Sequence, residues 1–205
     1  SRRQRQMCIR DRDERSCYLL VENRKVENYV DMALYYARMD AVYKDYMIAE
    51  SNLQEVAQQV LLQNKYYLIQ SHVKAEVACP DTVYSDKKWI AFILNQLIQN
   101  SVKYGRSEGT HIQIVTKKTK RGVLLRVKDD GIGIPKEEIP RIFEKGFTGT
   151  NGRNRERSTG MGLYLCRKLC DKLNIEIRAE SAEGKGTEII LMFPVSDYLT
   201  GYRET

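Results

Sequence analysis

Apolar and polar positions fall into two regimes along the chain. From residue 16 to about 47 the stretch SCYLLVENRKVENYVDMALYYARMDAVYKDYM contains no Pro or Gly. Within it Val26, Val30, Ala33, Ala37 and Ala41 recur at steps of 4, 3, 4 and 4. This spacing predicts one long helix whose seam packs against other helices at close range, because Ala lets backbones approach; the alternative is a plain amphipathic helix on the surface of the following domain. Helices of globular domains usually run about 8–20 residues. This one is longer and apolar around much of its circumference, a surface it cannot bury alone, so a partner helix is expected.

Downstream, helical and strand periods alternate. SNLQEVAQQVLLQNKYYLIQS (51–71) predicts a helix capped by Ser51, with Leu53, Val56, Ala57, Val60 and Leu61 on one face. VKAEVAC (73–79) alternates as a strand does, Cys79-Pro80-Asp81 breaks it, and TVYSD leads into a helix at 86–104 capped by Ser85 or Asp86. HIQIVTK (111–117) and GVLLRVKD (122–129) read as an antiparallel hairpin. A short helix near 136–143, a loop at 146–159 and a helix from Thr159 to Asn174 follow. IEIRAES (175–181) and TEIILMFP (187–194) form a second hairpin around AEGKG. Strands and helices segregate, which predicts an α+β two-layer sandwich rather than a parallel doubly wound sheet.

Composition narrows the classes. The 205 residues, 42% hydrophobic and 30% charged, suit one sizeable domain with a helical appendage. No window approaches 18 uninterrupted apolar residues, so no membrane span is expected here. The start, SRRQRQMCIRDRDERS, has no apolar run and is not a signal peptide. Of the formal charge of +7, residues 1–15 supply six arginines against Asp11, Asp13 and Glu14, a surplus of three. That head matches no helix or strand pattern and is set aside as non-native or disordered. KKTKR (117–121) falls where a hairpin tip belongs, and neither it nor RNRER (153–157) is interleaved with aromatics. No nucleic-acid partner is expected. The cysteines Cys8, Cys17, Cys79, Cys166 and Cys170 are odd in number and lack C-x-x-C spacing, which fits a reducing cytoplasmic setting. Cys166 and Cys170 share a helix face as small apolar groups. His72 and His111 have no metal-ligand spacing.

The candidate chemistry lies in ordered glycine and amide features. NQLIQNSVKYG carries Asn100, Lys103 and Tyr104; KDDGIGIPKEEI carries Asp129, Gly131 and Gly133. FEKGF spans 143–147, STGMGLYL places Gly160 and Gly162 at a helix start, and GKGT lies at 184–187. If the ligand is a nucleotide, each has a use. Asp129 at a strand end accepts from an exocyclic amine, selecting adenine over guanine. Gly131 and Gly133 let backbone pass beside a flat base. Gly160 and Gly162 leave helix N–H groups free for phosphate. Asn100 offers a neutral oxygen to Mg²⁺, and Lys103 on the same helix reaches a phosphate. The loop between Phe147 and Gly160 is polar and long enough to close as a lid. Asp130 is expected to be a turn residue.

The order N-x-x-K-Y, D-x-G-x-G-I, F-x-x-x-F, G-x-G-L and G-x-G-T resembles the ATP-binding catalytic domain of bacterial sensor histidine kinases. That domain has the Bergerat-type fold shared with gyrase B, the heat-shock 90 chaperone and MutL. The resemblance covers about 50–194 and implies ATP and Mg²⁺ as ligands. It implies Asn100 on the metal, Lys103 on phosphate, Tyr104 near the base, and Asp129 as the group that recognises adenine. It further implies that Gly131, Gly133, Gly160 and Gly162 shape the pocket and lid hinge, with Leu163 following in G-x-G-L. Phe143 and Phe147 anchor the lid, and Gly184, Gly186 and Thr187 support the site from the last hairpin. No Walker-type G-x-x-x-x-G-K-[ST] loop is present.

One departure is Gln96, where the family often has Asn four residues before the metal-binding Asn. Residues 16–48 resemble the second helix of a dimerisation and phosphoacceptor hairpin, 50–196 the catalytic domain, and 197–205 a tail. The first hairpin helix, with its acceptor histidine, does not appear. Neither His72 nor His111 has the helical, acid-flanked setting of an acceptor. The implied protein is a homodimeric kinase handing phosphoryl groups to a response regulator. It would be the cytoplasmic portion of a plasma-membrane protein, anchored through upstream segments. NYVDMALYYAR and NSVKYG resemble the intramembrane-sensing kinases that respond to cell-wall antibiotics, which implies a transporter-type sensor partner. Two alternatives are an ATPase of the same fold driving a conformational cycle, which would want a carboxylate at position 96, and a degenerate binding scaffold.

Overall fold

The core is built around one helix that is apolar on nearly every side. In a computed structural model, which describes residues 18–23, 26, 27, 29, 30, 32–37, 47–150 and 159–195, that helix is α4 (Lys87–Lys103). It buries Trp89, Ile90, Phe92, Ile93, Leu94, Leu97 and Ile98, the pattern of a helix enclosed by its neighbours. Asp86 caps it, its carboxylate accepting from the N–H groups of Lys88 and Trp89.

Before it come β1 (Ala49–Asn52), α2 (Leu53–Gln63), α3 (Lys65–Gln70), β2 (Val73–Ala78) and β3 (Thr82–Ser85). After it come β4 (Thr110–Thr119), β5 (Gly122–Asp129), a 3₁₀ turn (Ile139–Arg141), α5 (Gly162–Lys172), β6 (Glu176–Ala182) and β7 (Gly186–Pro194). The main sheet has the order β2-β4-β5-β7-β6, with β2 parallel to β4 and all other pairs antiparallel. Inward residues Ile112, Ile114, Leu125, Val127, Ile189 and Leu191 pack on the helical layer. The opposite face carries the Arg126–Glu188 ion pair at 2.8 Å. There Ile190 stands in register between Arg126 and Arg178, whose aliphatic stems suit it. The two-layer α+β sandwich and both hairpins are as the sequence predicts.

Several boundaries differ, each for a local reason. Ser51 is not a cap: it lies in β1, which pairs with β3 in a small second sheet, and its hydroxyl donates to Ser85 O at 3.2 Å. The cap is Asn52, accepting from Glu55 N–H. The helix expected through residue 71 breaks at Asn64, a buried side chain whose Nδ2 donates to Val60 O and to Asn95 Oδ1, both at 2.8 Å. Bonding back to its own helix competes with the backbone ladder. The helix expected near 136–143 is only the 3₁₀ turn, because Pro140 lacks an N–H to extend it. The last helix starts at Gly162 rather than Thr159, since Gly160 has φ 64°, and stops at Lys172, with Asn174 at φ 55°. Cys79, Cys166 and Cys170 are buried free thiols, and burial pushes Cys170 up to about 12 and Cys79 to about 11. They are packing groups, as expected of Cys166 and Cys170.

The described residues from 18 to 37 are helical and constitute α1. Its predicted seam faces solvent: Val26 and Val30 are 60% and 51% exposed. A different stripe, Met32, Tyr35 and Tyr36, seats it on the domain. Tyr35 stacks edge-on against Phe92 (centroids 4.3 Å, 75°) and tilted against Trp89 (4.8 Å, 54°). Lys145 Nζ donates to Tyr36 Oη at 2.5 Å. Trp89 is the chain's single tryptophan and is 5% exposed. Tyr35→Ala is therefore expected to move its fluorescence to longer wavelength and make it quenchable by acrylamide. An unaltered spectrum would show that α1 does not shield it. The expected head at 1–15, the tail at 197–205, the 38–46 end of the long helix and the RNRER cluster lie outside the described residues.

Candidate nucleotide site

The end of β5, the last turn of α4 and the first residues of β7 meet at one open cavity. Pairing across the sheet sets Asp129 opposite Ile112 of β4 and Thr187 of β7. Its Oδ1 accepts from Gly131 N–H (3.0 Å) and Thr187 N–H (3.1 Å), and its Oδ2 from the Ser101 hydroxyl (2.8 Å). A carboxylate accepts at about four positions, so Oδ2 keeps capacity for one more donor at the cavity wall. Burial pushes the Asp129 carboxyl above the ordinary carboxylate value; the three hydrogen bonds pull it back, and the charge of Asp130 adds to the rise.

The turn after Asp129 is tied to both neighbouring elements through backbone. Ile132 N–H donates to Tyr104 O at 3.0 Å, and Gly184 N–H to Ile132 O at 2.7 Å. A Cβ on Gly131 would fall 2.6 Å from Tyr104 O, and one on Gly133 (φ 72°) 2.0 Å from Ala182 O. Both glycines are thus required by close approach to the protein's own backbone, and Gly133 also lines the cavity. Asp130 is a turn residue as expected, exchanging bonds with His111: its N–H donates to His111 O and its Oδ1 accepts from His111 N–H. Ser181 is a hub, accepting from Ile134 N–H at 2.9 Å, donating to Gly186 O at 2.7 Å, and touching Thr187 Oγ1.

The other end of the site is the start of α5. Met161, its N-cap, supplies no side-chain bond, so among the described residues no side chain caps the first-turn N–H groups. Gly146 N–H donates to Gly160 O at 3.1 Å, and a Cβ on Gly160 would strike Gly146 backbone at 2.4 Å. Gln96 reaches this place from α4. It is 5% exposed, its Nε2 has no partner, and its Oε1 would lie 2.9 Å from a Cβ on Gly162. A buried donor without a partner costs about 1–3 kcal/mol, and it belongs to the amide whose Oε1 faces the start of α5.

Of the sequence-selected residues, Asn100, Tyr104, Asp129, Gly133, Phe147, Leu163 and Thr187 line the cavity. Gly131 is buried in the turn, Gly160 and Gly162 lie at the start of α5, and the Lys103 ammonium stands 5.8 Å over the Tyr104 ring; none of the four is on the cavity walls. Phe147 lies under the Arg141 guanidinium at 4.6 Å. Ser101 and Ser181 were not legible as site residues; Ser101's only signal is that it follows Asn100 on the same helix. Val127, Ile142 and Ile189 supply an apolar wall that reads in sequence as ordinary core. His72 forms a left-handed turn (φ 53°), and His111 pairs through Nε2 with Glu76 at 3.2 Å. No cluster of metal-binding side chains is found among the described residues.

A one-sided sheet with a half-buried carboxylate at a strand end and the start of a helix across the cavity defines a class. Residues 85–197, more than half of the chain, match the family of Histidine kinase-, DNA gyrase B-, and HSP90-like ATPases, and the chain belongs to that family. Within it the chain is an ATP-binding catalytic domain of the sensor histidine kinase type. It is 36% identical over 189 residues to the sensor protein kinase GraS of Staphylococcus aureus (strain JH1), covering 90% of this chain and 53% of GraS. It is 34% identical over 174 residues to the sensor histidine kinase YxdK of Bacillus subtilis (strain 168), covering 84% of this chain and 54% of YxdK. The chain thus spans about half the length of these relatives. Among solved structures, histidine kinase ThkA in complex with the response regulator protein TrrA superposes with a TM-score of 0.65 at 23% identity, over 86% of this chain and 49% of that one.

Proposed function

We propose that this chain binds Mg·ATP and presents the γ-phosphate to a histidine on the partner helix of a dimerisation hairpin, from which a response-regulator aspartate takes it. The observation that carries the nucleotide part is the spare acceptor of Asp129, held by Ser101, Gly131 and Thr187 at the wall of an apolar cavity. Such an acceptor suits the amino group of adenine and opposes the carbonyl of guanine. Val127, Ile142 and Ile189 keep water from the base, with Tyr104 and Thr187 beside it.

The residues present also suit the phosphate end. The first-turn N–H groups of α5, which Met161 does not cap, and the unpartnered Nε2 of Gln96 are donors suited to an anion. Asn100, on the turn after Gln96, offers the neutral oxygen for Mg²⁺, and Lys103 supplies a cation one turn further. Bound Mg²⁺ supplies charge neutralisation on the phosphates; this chain's part is positioning and electrostatics. Gly160 and Gly162 let the loop root and the helix start approach Gly146 and Gln96. A hydrolytic ATPase would want a carboxylate at position 96; the amide of Gln96 favours the transferase.

The exposed Val26 and Val30 on α1 support a homodimer built through a helical hairpin of which 16–48 is the second helix, followed by the catalytic unit at 50–196. Among the described residues no helix is long and apolar enough to cross a membrane. Attachment to the plasma membrane, and contact with a transporter-type sensor, belong to other segments of the protein. Incubated alone with Mg·ATP labelled at the γ-phosphate, the chain is expected to retain nucleotide yet acquire no acid-labile label. Label on His72 or His111 would overturn the assignment of the acceptor to another helix.

A further inference from the structure

Glu138 belongs to none of the motifs, yet its carboxylate joins two parts of the cavity wall. Its backbone is fixed, with its N–H donating to Pro135 O and its carbonyl accepting from Arg141 N–H, both at 2.9 Å. From that base Oε1 accepts from the Thr150 N–H at 2.9 Å and from the Thr150 hydroxyl at 2.6 Å. Oε2 lies against Gly149, where a Cβ would fall 2.1 Å from it. Glu138, Phe147, Thr148 and Gly149 all line the nucleotide cavity. The segment 147–150 is therefore gripped at both ends: by the Gly146–Gly160 backbone bond at its start, and by Glu138 at its end. Hydrogen bonds to an ionised acceptor are roughly twice as strong as neutral ones.

We propose that Glu138 is a positioning residue that clamps the Phe147–Thr150 wall of the cavity and so sets how fast a bound nucleotide leaves. This rests on the nucleotide assignment above. Gly149 is part of the device, because any side chain there displaces the carboxylate.

The test is stopped-flow release of trinitrophenyl-ATP, chased with excess ATP. The chains are wild type, Glu138→Ala, Gly149→Ala, Thr150→Val and the double variant Glu138→Ala with Thr150→Val. Glu138→Ala and Gly149→Ala are expected to release the probe about fivefold faster, the effect of losing a partly exposed hydrogen-bonded clamp. Association rates stay unchanged, Thr150→Val gives a smaller increase, and the double variant is no faster than Glu138→Ala. Thermal midpoints stay near wild type, because these side chains are not in the core. Saturable wild-type binding with an unaltered release rate in Glu138→Ala overturns the clamp alone, as do Glu138→Ala and Thr150→Val effects that multiply. A wild-type chain that does not bind the probe overturns the nucleotide assignment and the clamp with it.

Discussion

Asp129→Asn is expected to abolish adenine-nucleotide binding while the domain stays folded. Asparagine keeps the shape and, through Oδ1, the acceptor that Gly131 and Thr187 N–H groups use. Its Nδ2 replaces Oδ2, and the Ser101 hydroxyl turns from donor to acceptor to meet it. What vanishes is the acceptor toward the cavity, replaced by a donor facing the amine of adenine. A lost hydrogen bond to a charged group and a donor facing a donor together amount to about 3 kcal/mol, or roughly a hundredfold in affinity. The same change removes any preference for ATP over GTP.

The variant is also expected to be at least as stable as wild type near neutral pH. Burial raises the Asp129 carboxyl above its unfolded value. A raised carboxyl binds its proton more tightly in the folded state, so its stabilising contribution is full below the unfolded value, about 3.9. It is lost as pH rises through the folded value. The wild-type minus variant stability should therefore fall with pH across that acid window. Thermal unfolding of both proteins between about pH 3 and 7 checks the sign. A gap that widens with pH would show that the ionised carboxylate is stabilised by the fold.

Gly133→Ala is expected to be strongly destabilising. Gly133 has φ 72°, and an added Cβ would lie 2.0 Å from Ala182 O and 2.8 Å from its carbonyl carbon. Those are backbone atoms and cannot rotate aside. The β6–β7 turn has to move, straining the Gly184–Ile132 bond and the bond from Ile134 N–H to the Ser181 hydroxyl. Left-handed strain and two weakened hydrogen bonds amount to about 3 kcal/mol. In a domain of this size that lowers the midpoint by about 10 °C. Gly146 is the control. It has nearly the same φ, 73°, but a Cβ there meets no atom within 4 Å, so Gly146→Ala carries only the conformational cost of about 1 kcal/mol. Equal loss in both, measured by calorimetric unfolding, would show that the close approach to Ala182 is not what Gly133 serves.

What the sequence revealed and what it hid follow one physical division. Hairpins are local: alternation in 111–129 and 175–194, with turn residues between, determines both partner and direction. The parallel pairing of β2 with β4 is not local; alternation in VKAEVA tells which face is buried and is silent on which strand lies alongside. Ser51 looks like a helix cap by residue type, but the pairing of β1 with β3 claims it and leaves the cap to Asn52. The site's motifs are legible because glycine, aspartate and asparagine at such spacings have few other uses. The groups that hold those motifs are not. Ser101, Ser181 and Glu138 are ordinary polar residues until the fold sets them against Asp129, Gly186 and Thr150. Tyr35 belongs with them, since only the seating of α1 on Trp89 and Phe92 gives it a role.

The central claim is that Asp129 makes this cavity an adenine-nucleotide site. Isothermal titration of wild type and Asp129→Asn with Mg·ATP and with Mg·GTP tests it most directly. The expected result is saturable binding of ATP to wild type, little or no binding of GTP, and neither bound by the variant. Wild type that takes ATP and GTP equally, or a variant that holds ATP as wild type does, would contradict it.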